Sequence, residues 1–320
     1  MHDAAIAPHT HGDPLAVPVD MSAGHADGLG TTLSLGGGGV YFVAWQVTYL
    51  YELARRGVDL GGADRVVGTS AGSVVASVLG AGNLSRLHAE LKLLARLPRL
   101  MGALAPAADL EPSQLRARDL FAVAPDADPE RIREIGRAAL AATGPGVGVM
   151  PRNIALLLGS RRWPSSTLHI TCVDAYSGER CVVTRAAGVR VARAVAASSA
   201  VPGLFPPQPI GDRRCMDGGV SGTGTHLDLL AGSARAVVLG LTDGVGETEG
   251  AMTVAPGSVE RELDALRATG TEVMFRKPEA VDLETLMDPT AVPQAMEMAR
   301  RQAAADAGEL HAFVGSAPAR

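Results

Sequence analysis

The sequence predicts an α/β fold in which a mainly parallel sheet is covered by helices. Three observations carry this expectation. Thr32-Leu33-Ser34-Leu35 and Asp64-Arg65-Val66-Val67 are short, largely apolar runs that read as strands. Between them, Val43, Val47, Leu50 and Ala54 recur at helical spacing from Tyr41 to Arg56, and Gly57 ends that helix. Past the second strand, a glycine-bounded turn runs into a small apolar helix from Ser73 to Leu79. Strand, helix, strand, helix is the order that makes adjacent parallel strands.

The remaining elements follow along the chain. Leu84, Leu87, Leu91, Leu94 and Leu97 step by three and four residues, giving a helix with one core-facing apolar side that Pro98 stops. Leu100, Met101 and Leu104 extend that apolar character. Pro129 to Ala142 reads as a helix with proline at its start, Gly144 to Gly148 as a flexible break, and Ile154 to Leu158 as a short apolar segment. Thr167–Val173 and Arg180–Thr184 form a strand pair around Ser177-Gly178. Val189 to Ser199 is a helix, and Pro206, Pro207 and Pro209 mark a loop. A strand from Arg235 to Leu241, a surface loop from Gly244 to Pro256, helices at Ser258–Ala268 and Pro293–Ala305, and a strand at Glu272–Phe275 complete the chain. No repeat and no boundary interrupts residues 31–320, which are expected to form a single domain. Residues 1–30 lack an apolar h-region and are expected to be a disordered tail rather than a signal peptide.

Bulk properties narrow the function classes. The 320 residues are 47% hydrophobic and 20% charged, as in ordinary globular chains, while 3% aromatic content makes the core aliphatic. The net charge of −5 gives no pointer to a nucleic-acid surface, while leaving room for a local basic patch towards a membrane. No apolar run reaches the ~18 residues of a membrane span. Cys172, Cys181 and Cys215 fit neither a disulfide framework nor a zinc spacing, so they are expected as buried thiols in a reducing, cytoplasmic compartment.

Gly68-Thr69-Ser70-Ala71-Gly72 carries the chemistry. A serine hydroxyl becomes a nucleophile only when a base takes its proton and the oxygen is presented openly. An abrupt strand-to-helix turn does the second, and small flanking residues let strand and helix close together. Gly36 to Gly39 is too irregular for a dinucleotide fingerprint and lacks the P-loop lysine, which leaves an oxyanion hole built from backbone N–H groups. Each such donor is worth about 3 kcal/mol to the transition state. For the base there are two kinds of candidate. One is Asp217, on the tight turn Asp217-Gly218-Gly219; the others are His88, His169, His226 and His311, of which His226 or His311 would complete a triad.

Taken together the motifs resemble the patatin-like phospholipase family. They are Leu33-Ser34-Leu35-Gly36-Gly37-Gly38-Gly39-Val40, Val67-Gly68-Thr69-Ser70-Ala71-Gly72-Ser73, Ala197-Ser198-Ser199-Ala200-Val201-Pro202-Gly203-Leu204-Phe205-Pro206-Pro207 and Met216-Asp217-Gly218-Gly219-Val220, with a looser match at Met287-Asp288-Pro289 and the last helix. The resemblance implies a three-layer α/β/α sandwich of bacterial type and a Ser70–Asp217 dyad without histidine. It further implies an oxyanion hole at Gly37, Gly38 and Gly39, hydrolysis of lipid acyl esters through an acyl-enzyme, and no metal or cofactor. The implied partners are a lipid or other acyl-ester substrate and transient contact with a membrane surface. Tyr41 and Phe42 stand where the family has a basic residue and a glycine, so together with Ala71 they are expected to line the substrate pocket. That replacement also admits two other readings: acyl transfer to, or hydrolysis of, a non-lipid substrate, and a binding protein that has lost catalysis.

Overall fold

A computed structural model describes residues 6–8, 25–97, 110–122, 128–160, 162–244, 254–282 and 285–315. In chain order the strands and helices are β1 (Ile6–Pro8), β2 (Thr31–Leu35), α1 (Gly39–Ala54), β3 (Arg65–Thr69), α2 (Ala71–Gly80), α3 (Leu84–Leu94), α4 (Pro112–Ala122), α5 (Pro129–Ala141), α6 (Val149–Leu158), β4 (Leu168–Asp174), β5 (Arg180–Val183), α7 (Val191–Ser198), β6 (Gln208–Ile210), β7 (Arg213–Asp217), β8 (Arg235–Leu239), α8 (Ser258–Ala268), β9 (Glu272–Arg276) and α9 (Val292–Gly315).

The sheet runs β1-β5-β4-β3-β2-β8-β9. Its centre, β4-β3-β2-β8-β9, is parallel, while β1, β5 and β7 join antiparallel. Successive residues of a strand face opposite sides, and the two sides meet separate cores. Leu33, Leu35, Val66 and Val237 pack beneath α1, α2 and α9. Val67 and Val238 pack against Leu229, Leu230, Leu263 and Leu266 on the other side. Helices therefore cover both faces of the sheet, as the sequence predicts. A third cluster, around Ile132, Ile135 and Met216, joins α5 to the antiparallel end.

The register at β4 decides where the ends of strands meet. Residues 168–171 of β4 pair with β3, and residues 172–174 pair with β7. The opposite edge of β4 is taken by β5. Hence β3 and β7 share one side of β4 and approach each other end to end. Thr69, the last residue of β3, lies opposite Thr171, and Asp217, the last of β7, lies opposite Cys172. Two chain segments far apart in sequence thus stop at the same point.

Four expectations are corrected. Order begins before Thr31: β1 pairs with β5, and the Ala26 N–H donates to Ala231 O at 2.8 Å. The rest of the expected tail lies outside the described residues. The proline-marked loop contains β6, where Pro209 is tolerated on a short strand at the sheet margin. The last helix continues to Gly315, because alanine-rich sequence carries no stop signal there. The leucine stripe faces the core at Leu84, Leu87 and Leu91 but not at Leu97, which is exposed; Leu100, Met101 and Leu104 lie outside the described residues.

Candidate active site

Ser70 is placed by the turn between β3 and α2. Its backbone sits at φ 50° and ψ −118°, a region that costs a non-glycine residue on the order of 1–3 kcal/mol. The surroundings enforce it. The Ser70 N–H donates to Ser198 Oγ at 2.9 Å, and its carbonyl accepts from Ser73 Oγ at 2.7 Å and Ser199 Oγ at 3.2 Å. The glycines on either side are steric requirements: a Cβ on Gly68 would meet Gly72 O at 2.8 Å, and one on Gly72 would meet Leu35 O at 1.8 Å. That closeness lets the Gly72 N–H donate to Gly36 O at 3.1 Å, tying the serine turn to the glycine strip beside it.

Asp217 ends β7 directly opposite. Its Oδ2 accepts a hydrogen bond from Ser70 Oγ at 2.7 Å, and its Oδ1 accepts from the Gly219 N–H at 2.8 Å. Both side chains are buried. Burial pushes the Asp217 carboxyl up to about 7, against the two hydrogen bonds that favour its charged form. A carboxylate of that basicity, holding a serine hydroxyl, is equipped to accept its proton near neutral pH. The Asp217 N–H in turn donates to Ala200 O at 3.0 Å. The stretch Ser198-Ser199-Ala200, at the end of α7, therefore holds both Ser70 and Asp217. Its sequence signal was the serine pair before Val201-Pro202, which by itself assigns no role.

Gly37, Gly38 and Gly39 follow β2 and open α1. Among the described residues, no hydrogen bond within the protein uses their N–H groups. Added Cβ atoms would strike Phe42 from Gly38 (2.6 Å) and Leu286 O from Gly39 (2.4 Å), so both of these positions must be glycine. Ala71, the first residue of α2, is buried beside Ser70. Tyr41 and Phe42 are both buried. The Tyr41 hydroxyl donates to Ala280 O at 3.0 Å, and burial raises its pKa. Phe42 is wholly buried and stacks on Trp45 with centroids 5.5 Å apart. Helical rotation past Gly39 turns both rings into the core beneath α9.

Among the described residues none of the four histidines hydrogen-bonds Ser70 Oγ, which donates to Asp217. His226 instead lies in a buried chain of polar groups that sequence spacing could not reveal. Arg180, 46 residues away, donates from Nη1 to His226 Nδ1 at 2.9 Å and forms a two-pronged pair with Asp228. With Nδ1 accepting, the ring proton belongs on Nε2, which donates to Gly218 O at 3.2 Å. The chain thus ends on the carbonyl next to Asp217. His226 pays for this position with a left-handed backbone, φ 50°. Further along the same loop, Thr223 and Thr225 donate to Glu262 Oε2 at 2.5 and 3.2 Å, and burial pushes Glu262 up to about 7.

The three cysteines converge from β4, β5 and β7, all buried, with sulfur atoms within 4.8 Å of one another. Donating towards Cys181 and Cys215, together with burial, pushes the Cys172 thiol up, whereas hydrogen bonds from Cys172 and Cys215, with Arg213 nearby, pull Cys181 down to about 4 against its burial. Among the described residues no helix is long and apolar enough to cross a membrane.

The sequence pattern of the family described as Patatin-like phospholipase matches residues 33–229, more than half of the chain and all of the residues above that contact Ser70 or Asp217. No curated protein matches the chain. Among solved structures, the type III effector ExoU is 18% identical with a TM-score of 0.36, over 89% of this chain and 54% of its own. ExoU in its heterodimeric complex with SpcU from Pseudomonas aeruginosa gives 18% and 0.36, over 89% and 52%. VipD from Legionella pneumophila gives 12% and 0.34, over 93% and 70%. The chain spans about half the length of the ExoU chains.

Proposed function

Because the chain belongs to the patatin-like phospholipase family, we propose that it is a serine hydrolase of lipid acyl esters working through a Ser70–Asp217 dyad. One observation carries the reading: the 2.7 Å hydrogen bond from Ser70 Oγ to Asp217 Oδ2. As Oγ bonds to the acyl carbon, its proton passes to Oδ2. The carbonyl oxygen becomes an oxyanion facing the open N–H groups of Gly37, Gly38 and Gly39. Collapse breaks the ester C–O bond, and the leaving alcohol takes the proton back from Asp217. Water then attacks the Ser70 ester with Asp217 again as base, releasing the acid and restoring the hydroxyl. The Gly219 N–H on Oδ1 keeps Oδ2 turned towards Ser70 throughout.

The burial of Tyr41 and Phe42 supports this reading over a reshaped or lost site, since neither ring intrudes on the dyad. The same proposal takes lipid presented at a membrane surface as substrate and a cytoplasmic location. A fluorophosphonate probe tests the nucleophile: labelling is expected at Ser70 in the native protein and absent in Ser70→Ala. Turnover of p-nitrophenyl esters and of phospholipid is expected to fall by about 10²–10⁴ in Asp217→Asn. Equal rates in the native protein and both variants would refute the dyad.

A further inference from the structure

Away from Ser70, two hollows of about 330 and 370 Å³ lie around the start of α7 and share Arg190 as a lining residue. Arg152 and Arg193 complete the rim of the first, with Arg162 and Arg185 on the second. Among the described residues, none of these five guanidinium groups has a carboxylate partner, and no Asp or Glu lines either hollow. Elsewhere in the chain, arginines such as Arg180, Arg213 and Arg276 are paired with acids. Five unpaired cations are therefore gathered in a protein whose net charge is −5. The floor between them is apolar, formed by Pro151, Ala155 and Ala192 in one hollow and by Trp163 in the other. Guanidinium groups are planar five-donor forks that suit phosphate oxygens and cannot shed their charge. All five are exposed; gathered without acids they repel one another, and an anion relieves that repulsion.

We propose that this arginine rim is a binding site for a phosphate-bearing anion, either a free phosphate ester or the headgroup of an anionic lipid. Its position gives it a route to the nucleophile. α7 begins at the rim and ends, about 12 Å further on, at Ser198-Ser199-Ala200, the residues that hold Ser70 and Asp217. The helix is packed along its length by α2, α6, β4, β6 and β7, so displacement at one end is carried to the other as a rigid shift. This coupling, unlike the binding itself, rests on the acyl-hydrolase reading.

The test uses the full chain and two ligand sources. Pyrophosphate is titrated by calorimetry and by the emission of Trp163, in the floor of the second hollow; Trp45, the other one, is sealed in the core. Binding to phosphatidylcholine vesicles with and without phosphatidylglycerol is measured by sedimentation. Saturable pyrophosphate binding identifies a free-ligand site, and binding only to the anionic vesicles identifies a headgroup site; both support the proposal. The variant Arg190→Glu with Arg193→Glu is expected to bind about tenfold or more weakly at an unchanged melting temperature. Arg300→Glu, an exposed charge change on α9, is expected to bind like the native protein. No binding by the native protein to either probe, or equal binding by the double variant, overturns the site. An ester-hydrolysis rate that shifts with saturating pyrophosphate in the native protein but not in the double variant supports the coupling, and an unaltered rate overturns it. Absence of hydrolysis altogether overturns the acyl-hydrolase reading while the binding result stands.

Discussion

At the scale of single residues, Asp217 makes the strongest prediction. Its carboxyl is pushed up to about 7 by burial, so as a base it gains function as pH rises. kcat/KM is expected to climb about tenfold per pH unit below 7 and to level off above it. Glu262 titrates in the same range, so the control is Glu262→Gln, which should keep the limb. Stability runs the other way. The folded state holds a proton on Asp217 that the unfolded chain releases from its ordinary value of 3.8 upward. The residue's favourable contribution is therefore present below about 4 and is lost as pH rises to about 7. Asp217→Asn, which keeps the acceptor oxygen without the buried charge, is expected to melt at a higher temperature than the native protein at pH 8 while losing activity. His226 makes a smaller prediction. It touches the Gly218 carbonyl and not the dyad, so His226→Ala should lower kcat about tenfold, as for one lost buried hydrogen bond, with KM unchanged by comparison. Ser70 and the glycine strip stand out in the sequence through glycine-bounded turns, whereas Asp217 is chosen over the histidines only by the family resemblance. The contacts of Arg180, His226 and Ser198 are not readable there, because they arise only when distant strands are brought together. Tyr41 and Phe42 draw notice by their place next to Gly39, and adjacency does not tell that both rings are buried.

At the scale of elements, the contact between the serine turn and the glycine strip decides whether a site forms at all. α2 approaches β2 so closely that only Gly72 fits, with its N–H on Gly36 O. Gly72→Ala places a Cβ 1.8 Å from Leu35 O, backbone that cannot rotate away, and should cost about 3 kcal/mol or more. Gly82→Ala is the comparison: its φ is +68° but the space around it is open, so its cost should stay near 1 kcal/mol. Chemical denaturation of the two variants reads the difference directly. The strand–helix alternation that predicted β2, α1, β3 and α2 was readable because period-two and 3.6-residue patterns alternate cleanly there. β6 was hidden by Pro209, and the end of α9 by the lack of any glycine or proline after Ala305 until Gly308, which the helix absorbs. The end-to-end meeting of β3 and β7 has no local signature at all; it follows from the register each strand takes on β4.

At the scale of the whole molecule, the question is whether the dyad and the core around it fold as one unit. The geometry argues that they do. Asp217 lies opposite Cys172 in the ladder, and Cys215 is two residues before it on the same strand. The three thiols are sealed where β4, β5 and β7 join, and the join cannot open without moving Asp217 off Ser70. Because all three thiols are sealed from solvent, in the native protein they should react with a disulfide reagent only at the rate of opening. If residues 31–320 form one cooperative domain, loss of ester hydrolysis and appearance of three reactive thiols should follow a single curve in urea. Activity lost at lower urea than thiol exposure would instead assign the serine turn and its α7 brace to a weaker unit riding on a stable sheet. The packing of α7 against four neighbouring elements besides α2, and the hydrogen bonds that tie its end to both dyad residues, favour coincidence of the two curves.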